Sequence, residues 1–333
     1  MNKLYIVAAA LAILAVIVPG FTHFRQTKSL GQVAIPLEVT EAFNTWTTKY
    51  RKTYSSPADK NFRLQVFYKN YLSIKAHNSN YKKTYTQGLN QFADITPQEF
   101  ASKLSGDSES TRSSSLVSGM AAPETEKPKS LQQQANFDWR NYLQQTSISG
   151  STSCNDNYAW VGAVVQNADY YISMNSPITY SFSPQTYIDC SGNFGNYGCN
   201  GGWAVNCFSY SQQWGVDTTS NYPYYGYQRP CRATTGYFKN SNIYKVASLS
   251  NTDLYNKLAS KRVISAAIDI SNAQFYTGGV FTGPCTTNVN QGVVLVGAGI
   301  DPASSTPYWL ILNTWGSMWG EGGYMRIARF TVD

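Results

Sequence analysis

The stretch DKNFRLQVFYKNYLSIKAHN, residues 59–78, carries the most specific pattern in the chain. Six of its side chains recur at separations of 4, 4, 3, 4 and 4 residues, which places them on one stripe of a long helix. They are Asp59, Arg63, Phe67, Asn70, Ile74 and Asn78. An ordinary amphipathic helix presents an apolar stripe, whereas this one combines charged, aromatic and amide side chains. The pattern predicts a long helix and is far less generic than amphipathicity alone.

Two further local signals follow this stretch. The segment GLNQFAD, residues 88–94, alternates with a period of two and predicts a short strand. Thr96-Pro97-Gln98-Glu99 predicts a helix start, with Thr96 as N-cap, Pro97 in the first turn and Glu99 completing a capping box. Residues 39–104 are therefore predicted to form a helical unit.

The helical unit is flanked by a leader and a linker. An apolar run from Leu4 to Val18 precedes Pro19 and Gly20, so residues 1–20 are predicted to be a secretory signal. The alternative is a membrane anchor, because the run approaches the ~18 residues needed to span a bilayer. Residues 105–133 are rich in Ser, Gly and Pro and predict a mobile linker that proteases can reach.

Residues 134–333 differ from the helical unit in composition and pattern, with short apolar runs and many Gly and Tyr residues. One helix is predicted from about Asn157 to Met174, and buried strands are predicted at Ile264–Ile270, Val293–Val296 and Tyr308–Leu312. The first half of this region is helical and the rest is rich in strands. The sequence therefore predicts an α+β domain in two lobes.

The net charge of +7 lies in the N-terminal part of the chain. From Ala135 onward there are ten Lys or Arg and ten Asp or Glu residues, so the large C-terminal part is neutral. A nucleic-acid partner or an anionic membrane surface would require a basic patch there. We therefore predict no nucleic-acid partner, and membrane attachment only if the leader is not cleaved.

All six cysteines lie in the C-terminal part: Cys154, Cys190, Cys199, Cys207, Cys231 and Cys285. An even number behind a secretory leader predicts disulfides formed in an oxidising compartment. The region has no CxxC pair and no histidine, which argues against a zinc site. We predict neither a metal nor another cofactor.

These motifs together resemble those of papain-family, cathepsin-L-like cysteine protease precursors. The helix stripe is similar to the propeptide signature of that family, with Asp59 where Glu is usual, and residues 88–94 match its second motif, G-x-N-x-F-x-D. Further matches are Phe137-Asp138-Trp139-Arg140, Gly198-Cys199-Asn200-Gly201-Gly202, Tyr222-Pro223-Tyr224, Asn313-Thr314-Trp315-Gly316 and Trp319-Gly320. The resemblance implies a papain-like two-lobed fold with a cleft between the lobes and an N-terminal helical inhibitor propeptide.

The resemblance also implies two disulfides, Cys154–Cys199 and Cys190–Cys231, each stabilising by about 2–4 kcal/mol. Cys285 matches a family cysteine whose partner lies beyond the position of Asp333. Cys207 has no family counterpart. Whether these last two cysteines pair with each other or remain free is left open by the sequence.

A thiol protease needs a thiolate at a helix N-terminus, an imidazole that moves its proton, and an amide that orients the imidazole. In the family, the nucleophile lies three residues after the disulfide cysteine, a position that Asn157 occupies here. A carboxamide does not ionise, and we expect Asn157 to serve only as a helix N-cap. A shifted alignment that made Cys154 the nucleophile would forfeit the partner of Cys199.

The base is also replaced. The two histidines, His23 and His77, both precede the linker, so residues 134–333 contain none. By the resemblance, Gln291 takes the place of the catalytic histidine, Ser151 replaces the oxyanion-hole glutamine, and Asn313 is the retained orienting residue. We expect the carboxamides of Asn157, Gln291 and Asn313 to hydrogen-bond to one another across the cleft.

The residues of the cleft walls match the family more closely than the residues at the catalytic positions do. Gly201 and Gly202 match glycines whose backbone pairs with an extended peptide, and Trp315 and Trp319 match the wall on the leaving side. Tight backbone packing behind Cys199 is the alternative role of the glycines. We therefore expect an inactive homologue that is secreted or delivered to a lysosome or granule, and that binds its own propeptide and a peptide or protein ligand. The alternatives are a weak or atypical cysteine endopeptidase and a structural component of a granule or extracellular coat.

Overall fold

The computed structural model describes residues 34–104, 117–118, 136–143, 154–174, 180–232, 235–240, 243, 245–246, 251–260 and 262–329. The predicted leader and most of the predicted linker lie outside these residues. In the part of the chain that is described, no helix is both long and apolar enough to cross a membrane.

Three helices form the N-terminal helical unit, residues 34–104: α1 (Leu37–Lys49), α2 (Pro57–Ser79) and α3 (Pro97–Lys103). All six residues of the predicted stripe lie on α2, and the capping box of Thr96 and Glu99 at the start of α3 is present as predicted. A small aromatic core joins α1 to α2: Val39, Phe43, Trp46, Phe67 and Ala93.

The amide side chains of the stripe bind backbone groups of the segment that follows α2. Asn70 donates to the carbonyls of Ala93 and Ile95 at 2.8 and 3.0 Å, and it is 6% exposed. Asn78 donates to the carbonyl of Gln87 at 2.8 Å. The amide positions of the stripe therefore hold the segment that follows α2 against the helix through its backbone carbonyls.

The predicted strand at residues 88–94 is displaced. The strand of this region is β1 (Tyr85–Gln87); residues 88–90 are irregular and residues 91–94 form a turn. Asn90 explains the difference, because its side chain accepts a hydrogen bond from the N–H of Phe92 and donates to the carbonyl of Gln274 at 2.6 Å. The alternating polar residues thus bind backbone in this turn rather than lining one face of a strand.

An ion pair between Arg63 and Glu99 ties α3 to α2 at 2.9 Å. Burial would raise the pKa of Glu99, but hydrogen bonds from Thr96 and Arg63 outweigh it and hold the pKa below its ordinary value. A carboxylate of this kind stabilises the fold above its unfolded-state pKa, and that contribution is lost as the pH falls through the folded-state pKa.

Glu99→Gln should therefore lower the melting temperature of the full chain near neutral pH, and the difference from wild type should shrink below about pH 4. Thermal unfolding of both proteins between about pH 3 and pH 7 measures this effect. A difference that stayed constant across that range would contradict a role for the charge of Glu99.

The C-terminal part supplies four further helices: α4 (Asn157–Met174), α5 (Pro184–Cys190), α6 (Ala204–Gln213) and α7 (Asn251–Ala259). Its strands are β3 (Phe137–Asp138), β4 (Lys245–Val246), β5 (Ile264–Ile268), β6 (Tyr276–Phe281), β7 (Gln291–Ile300), β8 (Pro307–Leu312) and β9 (Tyr324–Ala328). The helix predicted at 157–174 and the three predicted strands are confirmed.

The strands of the described residues form one sheet in the order β1-β6-β9-β8-β7-β5-β2-β4, with β3 on β7. Strand β1 of the helical unit pairs antiparallel with β6. Strand β2 (Val117–Ser118), which pairs with β4 and β5, lies inside the predicted linker, so that linker is not uniformly without structure.

Helix α4 joins the two lobes. One face packs in the helical left lobe with Phe182, Tyr187 and Val216, and the other shares a core with strands β7 and β8 of the right lobe. Two disulfides, Cys154–Cys199 and Cys190–Cys231, fasten the left lobe and are the pairs that the resemblance implies. Cys207 and Cys285 are free thiols, the first buried and the second exposed.

Candidate functional site

Helix α4 begins at the floor of the cleft between the lobes. The carbonyl of Asp156 accepts hydrogen bonds from the N–H groups of Ala159 and Trp160 at 2.9 and 3.3 Å, so the cap position belongs to Asp156. Asn157 is the first helical residue and does not cap the helix as expected from the sequence. Its side chain is free to reach across the cleft instead.

Asn157 binds the right lobe through a reciprocal amide pair with Gly292. Its Nδ2 donates to the carbonyl of Gly292 and its Oδ1 accepts from the N–H of Gly292, both at 2.9 Å. The same Nδ2 lies 2.8 Å from Oγ1 of Thr314. Asn157 is only 9% exposed, so these bonds are shielded from water.

Gln291 and Asn313 occupy the adjoining positions. Nε2 of Gln291 donates to Oδ1 of Asn313 at 2.8 Å and to Oγ1 of Thr314 at 3.1 Å. Gln291 and Asn313 are 1% and 0% exposed. The expectation of a direct contact among three carboxamides holds for this pair but not for Asn157, which meets Gln291 only at the shared Thr314 hydroxyl.

Thr314 and Gly292 were missed by sequence reasoning. Each directly follows a residue that was singled out, Asn313 and Gln291, which is the only signal that pointed to them. The resulting group of Asn157, Gln291, Asn313 and Thr314, called the neutral quartet below, contains no ionisable side chain. Its hydrogen bonds described above all go to neutral groups.

The cysteine thiols do not supply a substitute nucleophile at this helix end. Cys154, three residues before Asn157, is bonded to Cys199. Cys207 lies inside the left-lobe core, where burial raises the pKa of its thiol well above the ordinary value. Burial and the nearby Asp269 raise the pKa of Cys285 as well. A raised pKa disfavours the thiolate that such chemistry needs.

Ser151, predicted at the oxyanion position, lies outside the described residues, and its role stays a prediction. The backbone N–H of residue 157 remains at the N-terminus of α4, where the helix dipole favours negative charge. This end of the cleft therefore keeps one element that favours negative charge.

The two glycines of the left wall have separate requirements. Gly201 has a φ of +104°, a conformation that favours glycine, while a Cβ on Gly202 would lie 2.2 Å from Oδ1 of Asn196. Asn196 uses that oxygen to accept from the N–H of Trp203. Packing thus accounts for Gly202, yet among the hydrogen bonds of the described residues none uses its own N–H or carbonyl.

A small pocket, partly open to solvent, lies beside Gly202. Its walls come from both lobes, and its floor is the first turn of α4. The lining residues are Asn157, Tyr158, Val161, Gly202, Trp203, Ala204, Val205, Ser265, Ala266, Ala267 and Gly292. None of these side chains is charged at neutral pH.

The tryptophans of the other wall are not equivalent. Trp315 is partly exposed, but Phe92 and Phe100 of the helical unit pack on it at ring-centroid distances of 5.3 and 5.4 Å. Trp319 is 0% exposed and donates from its indole to the carbonyl of Ala273. In this precursor Trp319 packs in one core with residues of the helical unit, and its ring centroid lies 4.9 Å from that of Trp315, so its place on the cleft wall stays a prediction.

Comparisons with known proteins match both parts of the chain. The sequence model of the papain family cysteine proteases matches residues 133–332, and that of the cathepsin propeptide inhibitor domain matches residues 43–100. Fruit bromelain of Ananas comosus is 34% identical over 299 residues, covering 86% of this chain and 80% of the relative. A cathepsin L-like proteinase of Fasciola hepatica is 33% identical over 297 residues, covering 87% and 88%.

Solved structures show the same fold. Digestive procathepsin L 3 from the larval midgut of Tenebrio molitor superposes with a TM-score of 0.76 at 29% identity, covering 89% of this chain and 94% of that one. A recombinant stem bromelain precursor gives a TM-score of 0.71 at 28% identity, with the same coverage. The predicted α+β fold with an N-terminal helical propeptide is thereby confirmed.

Proposed function

Because the chain belongs to the papain family of cysteine proteases and carries a cathepsin-type propeptide, we propose that it is a proprotein of the secretory pathway that binds peptides without cleaving them. In this proposal, residues 1–20 are a cleaved leader, 39–104 the propeptide, 105–133 the linker and 134–333 the mature domain. Its partners are its own propeptide and a peptide or protein ligand in the cleft. The lysosome, a secretory granule and the exterior are the compartments compatible with this route.

The neutral quartet is the observation that carries the proposal. Proteolysis by this family's mechanism needs a thiolate and an imidazole facing each other, and the quartet places two carboxamides there instead. Neither Asn157 nor Gln291 takes up or releases a proton near neutral pH. Loss of a nucleophile or base from such a unit costs on the order of 10⁴–10⁶ in rate, and the losses do not add.

The left wall supports peptide binding. The free N–H and carbonyl of Gly202 offer an extended peptide the main-chain bonds of strand addition, and an uncharged pocket lies beside them. Binding through backbone groups tolerates many sequences, because the main chain is common to all peptides. Any selectivity among peptide sequences therefore comes from the pocket.

A weak or atypical cysteine endopeptidase is the second candidate function. It is favoured by the relatives, which are proteinases by name. It would need a nucleophile and a base that the described cleft residues do not provide. A reporter of turnover therefore distinguishes the two functions.

Ala267→Phe should abolish peptide retention, because Ala267 lines the pocket and a phenyl ring there would fill it. Linker-cleaved protein is incubated with a mixed peptide library, and retained peptides are eluted and identified by mass. Wild type should return intact peptides and Ala267→Phe should return at most about a tenth as much, a loss of about 1.4 kcal/mol or more.

Ala303→Phe, on an exposed turn, is the matched control and should bind as wild type does. Library peptides recovered in shortened form from wild type would favour the endopeptidase. Equal retention by wild type and Ala267→Phe would remove the pocket from the proposal.

A further inference from the structure

Strand β8 ends at Leu312, opposite Val294 of β7. Continuing that register by two residues would place Thr314 opposite Gly292, but the chain turns away after Leu312 and no strand pairing is made there. Gly292 lies opposite Ala267 of β5, but on the side of β8 it has no strand partner at the end of this ladder.

Asn157 fills the gap. Its carboxamide carries one donor and one acceptor in the geometry of a peptide group, and it exchanges two hydrogen bonds of 2.9 Å with Gly292, as a neighbouring strand residue would. Its third bond, to Oγ1 of Thr314 at 2.8 Å, reaches the chain that has just left the ladder. A side chain of the left lobe therefore completes the sheet of the right lobe.

Gly292 is fitted to this side chain. A Cβ at position 292 would lie 2.4 Å from Oδ1 of Asn157, closer than real Cβ contacts occur. The backbone of Gly292 does not have the positive φ that disfavours other residues, so the carboxamide, and not the chain conformation, requires the glycine. The two residues are therefore matched to each other across 135 positions of sequence.

We propose that Asn157, Gly292 and Thr314 form an interlobe clasp, in which a carboxamide at the former nucleophile position acts as a surrogate strand residue and locks the two lobes together at the cleft floor. The clasp goes beyond the absence of proteolysis, because it assigns these positions a positive role. Beneath it the lobes share the apolar core on α4, so the clasp limits opening of the cleft about that core.

The test is a double-mutant cycle in the full-length protein, read by thermal unfolding. Asn157→Ala and Gly292→Ala should each lower the melting temperature by about 3–8 °C, because each breaks both amide bonds and strands buried polar groups. The double variant should fall no further than the worse single variant, since the new Cβ at 292 then meets no carboxamide. Additive losses, or an unchanged melting temperature for Gly292→Ala, would overturn the proposal.

A second variant separates the hydrogen bonds from the cavity that Ala creates. Asn157→Asp keeps the shape but replaces the donor to Gly292 by an acceptor, so at neutral pH it should destabilise at least as much as Asn157→Ala. Hydrogen exchange at the amide of Gly292 gives the local readout and should accelerate at least about tenfold in Asn157→Ala, which removes the acceptor of that N–H. Unchanged exchange at that amide in Asn157→Ala would also contradict the clasp.

Discussion

Asn157→Cys alone should leave the mature domain without proteolytic activity, whereas Asn157→Cys combined with Gln291→His should raise hydrolysis of fluorogenic peptides by at least about 10³-fold. The positions support this, since both native side chains bond to the same oxygen, Oγ1 of Thr314, at 2.8 and 3.1 Å. A thiol and an imidazole placed there would be neighbours. Asn313, whose Oδ1 now accepts from Gln291, would orient the imidazole.

The control is Asn157→Ala combined with Gln291→His, which has the base but no nucleophile and should stay inactive. Each protein is cleaved in the linker by an unrelated protease, which is then inhibited, before a peptide substrate and a thiol-directed probe are added. Turnover by wild type or by Asn157→Cys alone would reveal a base that we have not identified. A folded double variant no more active than its control would contradict the proposal that the side chains at positions 157 and 291 decide the activity of this cleft.

Phe100→Ala should lower the free energy of unfolding of the precursor by about 3–5 kcal/mol. Phe100 is 2% exposed, and its ring meets Phe92 and Trp315 at centroid distances of 5.4 Å each. It belongs to a core that contains residues of both the propeptide and the mature domain. Removing the ring would therefore leave a cavity where the two parts meet, at a site that the mature domain cannot refill.

Denaturant unfolding of the full chain measures the loss, and the secreted amount should fall with it. Leu72→Ala is the control, because Leu72 lies on α2 with 47% exposure and its truncation should cost little. Equal effects of the two substitutions would contradict a shared core. A confirmed loss would give the propeptide a structural role in this protein.

The features that could be predicted from sequence are those set by local chemistry. The stripe on α2, the capping box at Thr96 and Glu99 and the helix from Asn157 each depend on residues within a few positions of one another. Hydrophobic period and cap chemistry suffice for such elements. The disulfide pairs and the identity of the cleft positions came from the family resemblance and not from local pattern.

The predictions that were wrong concern residues whose positions depend on partners distant in the sequence. Asn90 takes part in a turn because its side chain reaches the carbonyl of Gln274, 184 residues away. Asn157 contacts Gly292 in preference to its own helix. These contacts depend on which backbone groups lack a hydrogen-bond partner in the folded chain, and a local sequence pattern does not contain that information.

The pairing of β1 with β6 has a consequence for the mature protein. With the propeptide in place, Tyr85–Gln87 cover the outer side of Tyr276–Phe281, where Thr84 and Thr86 also bond to Thr282 and Thr277. Removing the propeptide would expose a row of N–H and carbonyl groups along β6. An exposed edge strand of this kind can pair with another chain and lead to aggregation. The propeptide therefore protects this sheet edge from pairing with another chain.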